Sequence, residues 1–458
     1  MHTHDMDMSH NPITKLTRQL IDFFAIYPDK EDAPRLQRYG ELIRYHNEDL
    51  VELGDLSIAA SKINWICFSQ KNGMLLRIDS DQLLPDEESM EQLLEHSKQW
   101  LFPLLSVSKL RKERYALRFQ RAPIIAYVLD SILQQGDTYG QVKKLENSND
   151  ENMPTLCLIL HEKFAEIDGG NIKELHKFRA KQLFLIVRRL LNYDHYRLVE
   201  PEDKTDDTII VSVECNNQSR RCATEQSPQK YVRLACGPVL EPTKKTATML
   251  TSSSYMALRS NDMLLIAMHR HGVRECGKGT DLERLMQRLG HAAVIVDLFE
   301  VRHGTGATVV RNGSGSSKGA NYVLYNSARL ETLLRTFAAQ VNAGVYEPLP
   351  PLEKIDLSLL EDELDWQLIY GYLLSFPELV ESTLMQLLQG QCAVHLLVRY
   401  IVNLASLFSR YYRNKQILVQ KRSNLMPVLY ARIYLVKAVR QVLNSALALL
   451  GIQPVDYM

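Results

Sequence analysis

The sequence predicts an α+β protein, with a mixed α/β front part followed by an all-α C-terminal helical bundle. Three observations carry this. Short β-type runs alternate with helix-periodic segments as far as residue 318. A Gly- and Ser-rich stretch, Arg311 to Gly319, then reads as a flexible joint. From Tyr322 onward nearly every segment is helix-periodic. The predicted regions are therefore 1–140, 160–318 and 319–458.

The front elements follow in order. Ile13 to Tyr27 is an amphipathic helix. Asn64 to Ser69 and Gly73 to Ile78 read as short strands across a Gln-Lys-Asn-Gly turn. Asp86 to Trp100 and Ile124 to Leu133 read as helices, and the polar run Gln141 to Asn152 as a linker. A long helix over Ile172 to Leu191 opens the middle region. Its β-type runs are Thr208 to Cys215, Tyr231 to Cys236, and Ala292 to Arg302 with Thr308 to Arg311. The bundle should hold four or five helices of 15–25 residues. Breaks fall at 346–351 and 421–427, and Gly451 and Pro454 are stop signals.

The chain has 458 residues, 45% of them hydrophobic and 24% charged, which excludes collagen-like, low-complexity and wholly disordered classes. Seven scattered cysteines without a C-x-x-C pair support neither a disulfide framework nor a zinc ribbon. No apolar leader marks Met1 to His10, and His2 and His4 read as a terminal tag rather than metal ligands. No uninterrupted apolar run reaches the roughly 18–20 residues that cross a bilayer. A cytoplasmic protein without a membrane partner is expected, a nuclear one remaining an alternative.

Lysine plus arginine and aspartate plus glutamate each number 54, so the net charge is zero. That average hides segregation. Between Glu381 and Asp456 lie 74 residues without an acid but with Arg399, Arg410, Arg413, Lys415, Lys421, Arg422, Arg432, Lys437 and Arg440. The balancing acids sit upstream, from Glu353 to Asp365. Tyr400, Tyr411, Tyr412, Tyr430 and Tyr434 are interleaved with the bases. Cations neutralise phosphates and exposed rings stack on unpaired bases, which suits a single-stranded RNA loop. A solvated bundle surface with half-buried tyrosines fits the same residues; the acid-free length favours nucleic acid. Two smaller basic runs, Lys109 to Arg121 and Lys173 to Arg189, would extend an RNA track across the front.

The bundle carries words that resemble a known family. Asn321-Tyr-Val-Leu-Tyr-Asn-Ser-Ala-Arg329 resembles the Tyr-x-x-Tyr-x-x-Ala-Arg opening of the DALR anticodon-binding domain of arginyl-tRNA synthetases. Leu404-Ala-x-x-Phe408-x-x-Tyr411-Tyr412 is similar to that family's Leu-Ala-x-x-Phe-x-x-Phe-Tyr segment. Arg432 to Arg440, then Leu447 to Ile452 and Met458, resemble its closing helix and tail. At about 100° per residue, Tyr322, Tyr325 and Arg329 lie within about 60° of one another. They border an apolar face of Val323, Leu330, Leu333, Leu334 and Phe337. The closing helix is apolar nearly all round and mainly core, with only basic tips free for phosphate.

Class I synthetases carry a His-x-Gly-His word and a Lys-Met-Ser-Lys-type loop. Here His269-Arg-His-Gly272 and Arg302-His-Gly-Thr-Gly306 have the wrong order, and Ser316-Ser-Lys-Gly319 reads as linker. Without those histidines adenylate formation loses its main electrostatic help. Gly277-Lys-Gly-Thr280 lacks the order of a phosphate loop, and Gly304-x-Gly306 and Gly313-x-Gly315 lack its strand-to-helix setting. No catalytic residue, metal site or cofactor is expected.

A DALR bundle behind a degenerate synthetase-like front resembles the DALR anticodon-binding domain-containing proteins of animals, with Leu234-Ala-Cys-Gly-Pro-Val239 as a further matching word. The resemblance implies a non-catalytic tRNA-binding adaptor. Such a protein holds the anticodon arm of arginine tRNAs for a methyltransferase that makes 3-methylcytidine at position 32. The candidate tRNA-binding residues are Tyr322, Tyr325, Arg329, Arg399, Arg410, Tyr411, Tyr412, Arg413, Lys415, Arg432, Lys437 and Arg440. The alternatives are an ATP-dependent arginyl-tRNA synthetase-like enzyme and a helical protein-interaction scaffold.

Overall fold

The computed structural model describes residues 11–26, 39–77, 80–111, 113–141, 154–161, 174–215, 231–271, 281–310 and 317–456. The fold is α+β. Its front elements are α1 (Pro12–Phe24), β1 (Ala25–Ile26), β2 (Ile43–Tyr45), α2 (Leu50–Leu53), β3 (Leu56–Ala59), α3 (Lys62–Lys71), β4 (Leu75–Leu76), α4 (Glu87–Ser97), β5 (Leu104–Leu110), β6 (Arg114–Phe119) and α5 (Arg121–Gln135). Next come β7 (Thr155–Leu160), α6 (Leu175–Leu191), β8 (Arg197–Leu198), β9 (Ile209–Cys215), β10 (Tyr231–Cys236), β11 (Val239–Leu240), α7 (Ser252–His271), α8 (Asp281–Phe299) and β12 (Ala307–Thr308). The helical remainder is α9 (Ser317–Asn342), α10 (Glu363–Leu368), a π-helical stretch Ile369–Leu374, α11 (Phe376–Leu384), α12 (Val394–Asn414) and α13 (Met426–Leu450).

The chain folds into two compact units, neither of them continuous in sequence. The first takes Met1–Gln135, Leu349–Glu378 and Val419–Ala438. Its four-stranded antiparallel sheet runs β2-β3-β6-β5. Asp55, before β3, joins the sheet to the later segment. One carboxylate oxygen accepts the Phe119 N–H at 2.7 Å and the other accepts the Trp366 indole N–H at 2.7 Å. The Tyr370 hydroxyl donates to the Asp55 carbonyl at 2.8 Å. Burial raises the Asp55 carboxyl above its ordinary pKa, and the Phe119 and Trp366 N–H donors oppose that shift. Trp366 stacks on Tyr370 at 5.1 Å, and the Arg121 guanidinium lies 5.2 Å from the Trp366 ring.

The second unit takes Gly136–Pro348, Leu379–Leu418 and Val439–Met458. Its four-stranded parallel sheet runs β10-β9-β7-β8. Arg179 on α6 is fully buried and spends its guanidinium on carbonyls of Leu298 (2.9 Å), Gly237 (3.0 Å) and Thr305 (2.7 Å), with Arg302 at 3.3 Å. It thereby ties the end of α8 and the loop before β12 to the end of β10. α7 and α8 cross closely because position 290 is glycine: a Cβ there would lie 2.7 Å from the Ser260 backbone nitrogen. Between them Arg259 pairs with Asp262 at 2.6 Å and Asp297 at 2.9 Å, and the Tyr255 hydroxyl donates to Asp297 at 2.7 Å.

Several sequence expectations are corrected. Asn64 to Ser69 is helical: Trp65, Phe68 and Ser69 are buried at i, i+3 and i+4 on α3, the spacing of a helix face. Of Gly73 to Ile78 only Leu75–Leu76 pairs as a strand, and Ile78 lies outside the described residues. Ala292 to Phe299 belongs to α8, where every residue from Ala292 to Phe299 is buried; a wholly buried helix reads like a buried strand when only apolarity is counted. Ser317 to Gly319 begins α9 rather than a joint. Residues 142–152 of the expected linker, 311–316, His2, His4 and Gly277 to Thr280 lie outside the described residues. Of the helices from Ser317 onward, among the described residues, only α9, α12 and α13 are long; α10 and α11 have 6 and 9 residues. By length and composition α13 is apolar enough to cross a membrane, but 72% of its most apolar window is buried in the protein, as in a core helix.

Candidate nucleic-acid interface

α9 presents Val323, Leu330, Leu333 and Phe337 to the core of the second unit, and the Tyr-Tyr-Arg row borders that face as the 3.6-residue period requires. Arg329 is the centre of the arrangement. Its guanidinium carbon lies 4.6 Å from the Tyr325 ring and 4.4 Å from the Tyr412 ring at the end of α12. The same group donates to the Tyr325 hydroxyl at 3.1 Å, the Asn326 side-chain carbonyl at 3.2 Å and the Ser409 hydroxyl at 3.4 Å. Asn326 is itself fixed, donating to the Tyr322 carbonyl at 2.9 Å. Tyr325 and Tyr412 remain 39% and 38% exposed, so two aromatic rings are held at the surface with a cation between them. Tyr322 is half-buried and supplies only its carbonyl to this group.

α12 supplies the flanking charge. Arg399, Arg410 and Arg413 are exposed and, at about 100° per residue, fall within about 60° of one another. Their helix buries Leu397, Ile401, Leu404, Ala405, Phe408 and Tyr411 on the other side. The Arg413 Nε–H donates to the Ser409 carbonyl at 3.3 Å. Lys415 is the C-cap residue of the helix.

Other candidate residues stand differently. Tyr411 is fully buried beside Phe408, so its ring is core and unavailable for stacking. Tyr400, Tyr430 and Tyr434 are likewise buried. Of the five interleaved tyrosines only Tyr412 is exposed. On α13, Arg440 pairs with Glu331 at 3.0 Å, so the acid-free span meets an acid supplied from α9. The Lys437 ammonium lies 5.5 Å from the Tyr434 ring, and Arg432 is half-buried.

Among the described residues, several cations of the two front basic runs are already engaged. Arg179 is buried, Lys177 pairs with Glu174 at 3.0 Å, and Arg188 pairs with Glu200 at 2.7 Å. Arg114 donates to the carbonyls of Glu41, Leu42 and Ser57, and burial brings its pKa down to about 10. Arg121 pairs with Glu363 at 2.5 Å. Lys112 and Lys173 lie outside the described residues. Sequence reasoning missed Asn326 and Ser409, whose signal is positional: each lies three residues from an arginine or tyrosine of the group. Among the described residues no three metal-ligating side chains converge.

Comparison with known proteins gives this geometry a setting. Residues 323–458 match the family model for the DALR anticodon binding domain. The chain is 27% identical over 275 residues to DALR anticodon-binding domain-containing protein 3 of Mus musculus, covering 56% of this chain and 50% of that one. It thus spans about half the length of the curated relatives it matches. An arginine–tRNA ligase of Carboxydothermus hydrogenoformans is 33% identical over 137 residues, 30% of this chain and 22% of the ligase. The fold is similar to Thermus thermophilus arginyl-tRNA synthetase, with a TM-score of 0.57 and 11% identity over 97% of this chain and 99% of that one. Residues 323–458 are thus a DALR anticodon-binding domain, in a chain related to DALR anticodon-binding domain-containing protein 3 and sharing the fold of arginyl-tRNA synthetase.

Proposed function

We propose that this protein binds tRNA through its anticodon-binding domain without aminoacylating it, and that it presents arginine tRNAs to a methyltransferase forming 3-methylcytidine at position 32. One observation supports the tRNA-binding part above the others. Two exposed tyrosines clamp Arg329 beside a cationic stripe on α12, inside the matched domain. Stacking of unpaired bases on such rings contributes about 1–3 kcal/mol per base, and cations beside them hold the backbone. The adaptor role rests on the likeness to the mouse protein named for its DALR domain rather than for a ligase activity. The absence of a His-x-Gly-His order from the 458 residues agrees with it. A cytoplasmic site of action belongs to the same proposal.

Electrophoretic binding of purified tRNAs tests the reading. Arginine tRNAs should bind more tightly than others, with affinity falling by roughly 0.7 log units per log unit of salt for each single-strand phosphate contact. Equal affinity for every tRNA sinks the specificity, and no binding sinks the function. The second reading, a ligase, is favoured by the shared synthetase fold; ATP–pyrophosphate exchange with arginine should stay at background. Co-purification with a tRNA methyltransferase checks the partner, and its absence from native isolates counts against the adaptor role.

A further inference from the structure

The α12 stripe is longer than the aromatic clamp needs. Tyr325, Arg329 and Tyr412 occupy its C-terminal end, yet an exposed cation, Arg399, also stands near the opposite end. His395, in the first turn, lies within the same 60° sector as Arg399, Arg410 and Arg413. From His395 to Arg413 the helix rises about 27 Å, the rise of roughly eight nucleotides stacked about 3.4 Å apart. The clamp accounts for one end of that length.

A third cation reaches the far end from another element. Arg302 is exposed in the loop between α8 and β12, and its backbone is held firmly. Its carbonyl accepts from the buried Arg179 at 3.3 Å. The neighbouring His303 has both ring nitrogens engaged: Nδ1 donates to the Ala235 carbonyl at 2.8 Å and Nε2 accepts the Cys392 N–H at 3.1 Å. Cys392 lies two residues before α12, so His303 fastens the Arg302 loop to the start of that helix. Among the described residues the Arg302 and Arg399 side chains have no hydrogen bond or ion pair. His395 is lowered in pKa by burial and then by Arg302 and Arg399, which places all three within electrostatic reach. No carboxylate enters that balance. Three cationic or protonatable groups thus gather at this end of α12, and among the described residues none of them has an ion pair.

We propose that Arg302, His395 and Arg399 form a second phosphate-binding site, which holds the backbone of the paired RNA stem leading into the loop gripped at the other end of α12. The inference rests on the tRNA-binding reading and adds a stem contact to it. Cations at both ends of one helix face favour a polyanion that spans the helix over a single acidic side chain. Contacts of this kind to a duplex follow the backbone and shape rather than the sequence. An incoming phosphate also supplies the anion that would draw His395 towards its protonated form.

Two RNA probes on the full chain separate the ends of the stripe: a hairpin with a base-paired stem, and the same loop as a single-stranded oligonucleotide. The double variant Arg302→Gln, Arg399→Gln should lower hairpin affinity about tenfold and reduce the salt slope by about 1.5, with loop-oligonucleotide affinity unchanged. Matching melting curves for variant and wild type verify the fold, since both side chains are exposed. Hairpin affinity and slope equal to wild type overturn the inference alone. Equal losses on both probes also overturn it, because the residues then act at the loop. Preference of this surface for polyglutamate over the hairpin overturns it in favour of an acidic protein partner. Failure of the wild type to bind either probe is a different result: it removes the tRNA reading itself.

Discussion

α6 and α12 both read as basic helices, but their arginines meet different fates. On α6, Arg179 is enclosed by carbonyls, Arg188 faces Glu200, and the Arg189 guanidinium lies where a Cβ on Gly451 would be only 2.8 Å away. On α12, Arg399, Arg410 and Arg413 line one exposed face beside the Tyr325–Arg329–Tyr412 clamp. The difference lies in what each helix packs against. The carbonyls at the ends of α8 and β10 and in the loop before β12 take up the Arg179 guanidinium of α6, whereas α12 buries a clean apolar side and keeps Arg399, Arg410 and Arg413 exposed on the other. Basic residues are available to a partner only where the fold leaves them exposed.

The largest test of this contrast is Arg179→Met. Removing one guanidinium from three or four buried carbonyls should lower unfolding free energy by at least about 3 kcal/mol in denaturant titration. Arg410→Met should change it by less than about 0.5 kcal/mol. Comparable stabilities for the two variants break the contrast. Tyr412→Ala comes next: it should weaken RNA binding by about 1–3 kcal/mol, measured by titration, with little loss of stability. Arg410→Gln with Arg413→Gln should reduce the salt slope by about 1.4 for a single-stranded probe; an unchanged slope removes these residues from the interface.

Histidine extends the same division. His303 belongs with the used groups, and burial lowers its pKa below the ordinary value near 6.5. A depressed folded-state pKa means stability that is present above the unfolded value and lost as pH falls through the folded one. Melting temperature should therefore fall below about pH 6.5, and less steeply in His303→Gln. A variant with the wild-type pH slope refutes that assignment. The smallest effect belongs to Arg188→Gln: an exposed pair with Glu200 contributes about 0–1 kcal/mol, and RNA affinity should not change.

Much of the bundle was legible because its signals are local. The Tyr-Tyr-Arg spacing follows from helical geometry, and the apolar face of α9 is where the period puts it. Tyr411 and Tyr412 show the limit: adjacent residues on one helix point about 100° apart, so one is core and the other surface. The pairing of Arg440 with Glu331 was invisible from an acid-free count, since the acid arrives from a helix about a hundred residues earlier. Ala292 to Phe299 misled for a related reason, because total burial erases the alternation that separates helix from strand. Arg302 stood in the sequence only within a misordered His-Gly word; the His303–Cys392 hydrogen bond is what fastens its loop to the start of α12.

The discontinuous first unit has a temporal consequence. Asp55 and Phe119 are synthesised early, but Trp366 and Tyr370, which cover and bond to them, come far later, and Val419–Ala438 later still. At about 5–20 residues per second, the opening 135 residues wait roughly 15–60 s for their last packing partners to be translated. During that interval the Asp55 carboxylate lacks the Trp366 indole N–H and the Asp55 carbonyl lacks the Tyr370 hydroxyl. The 323–458 stretch is one domain by descent, but on the ribosome it is also the delayed completion of the chain's beginning.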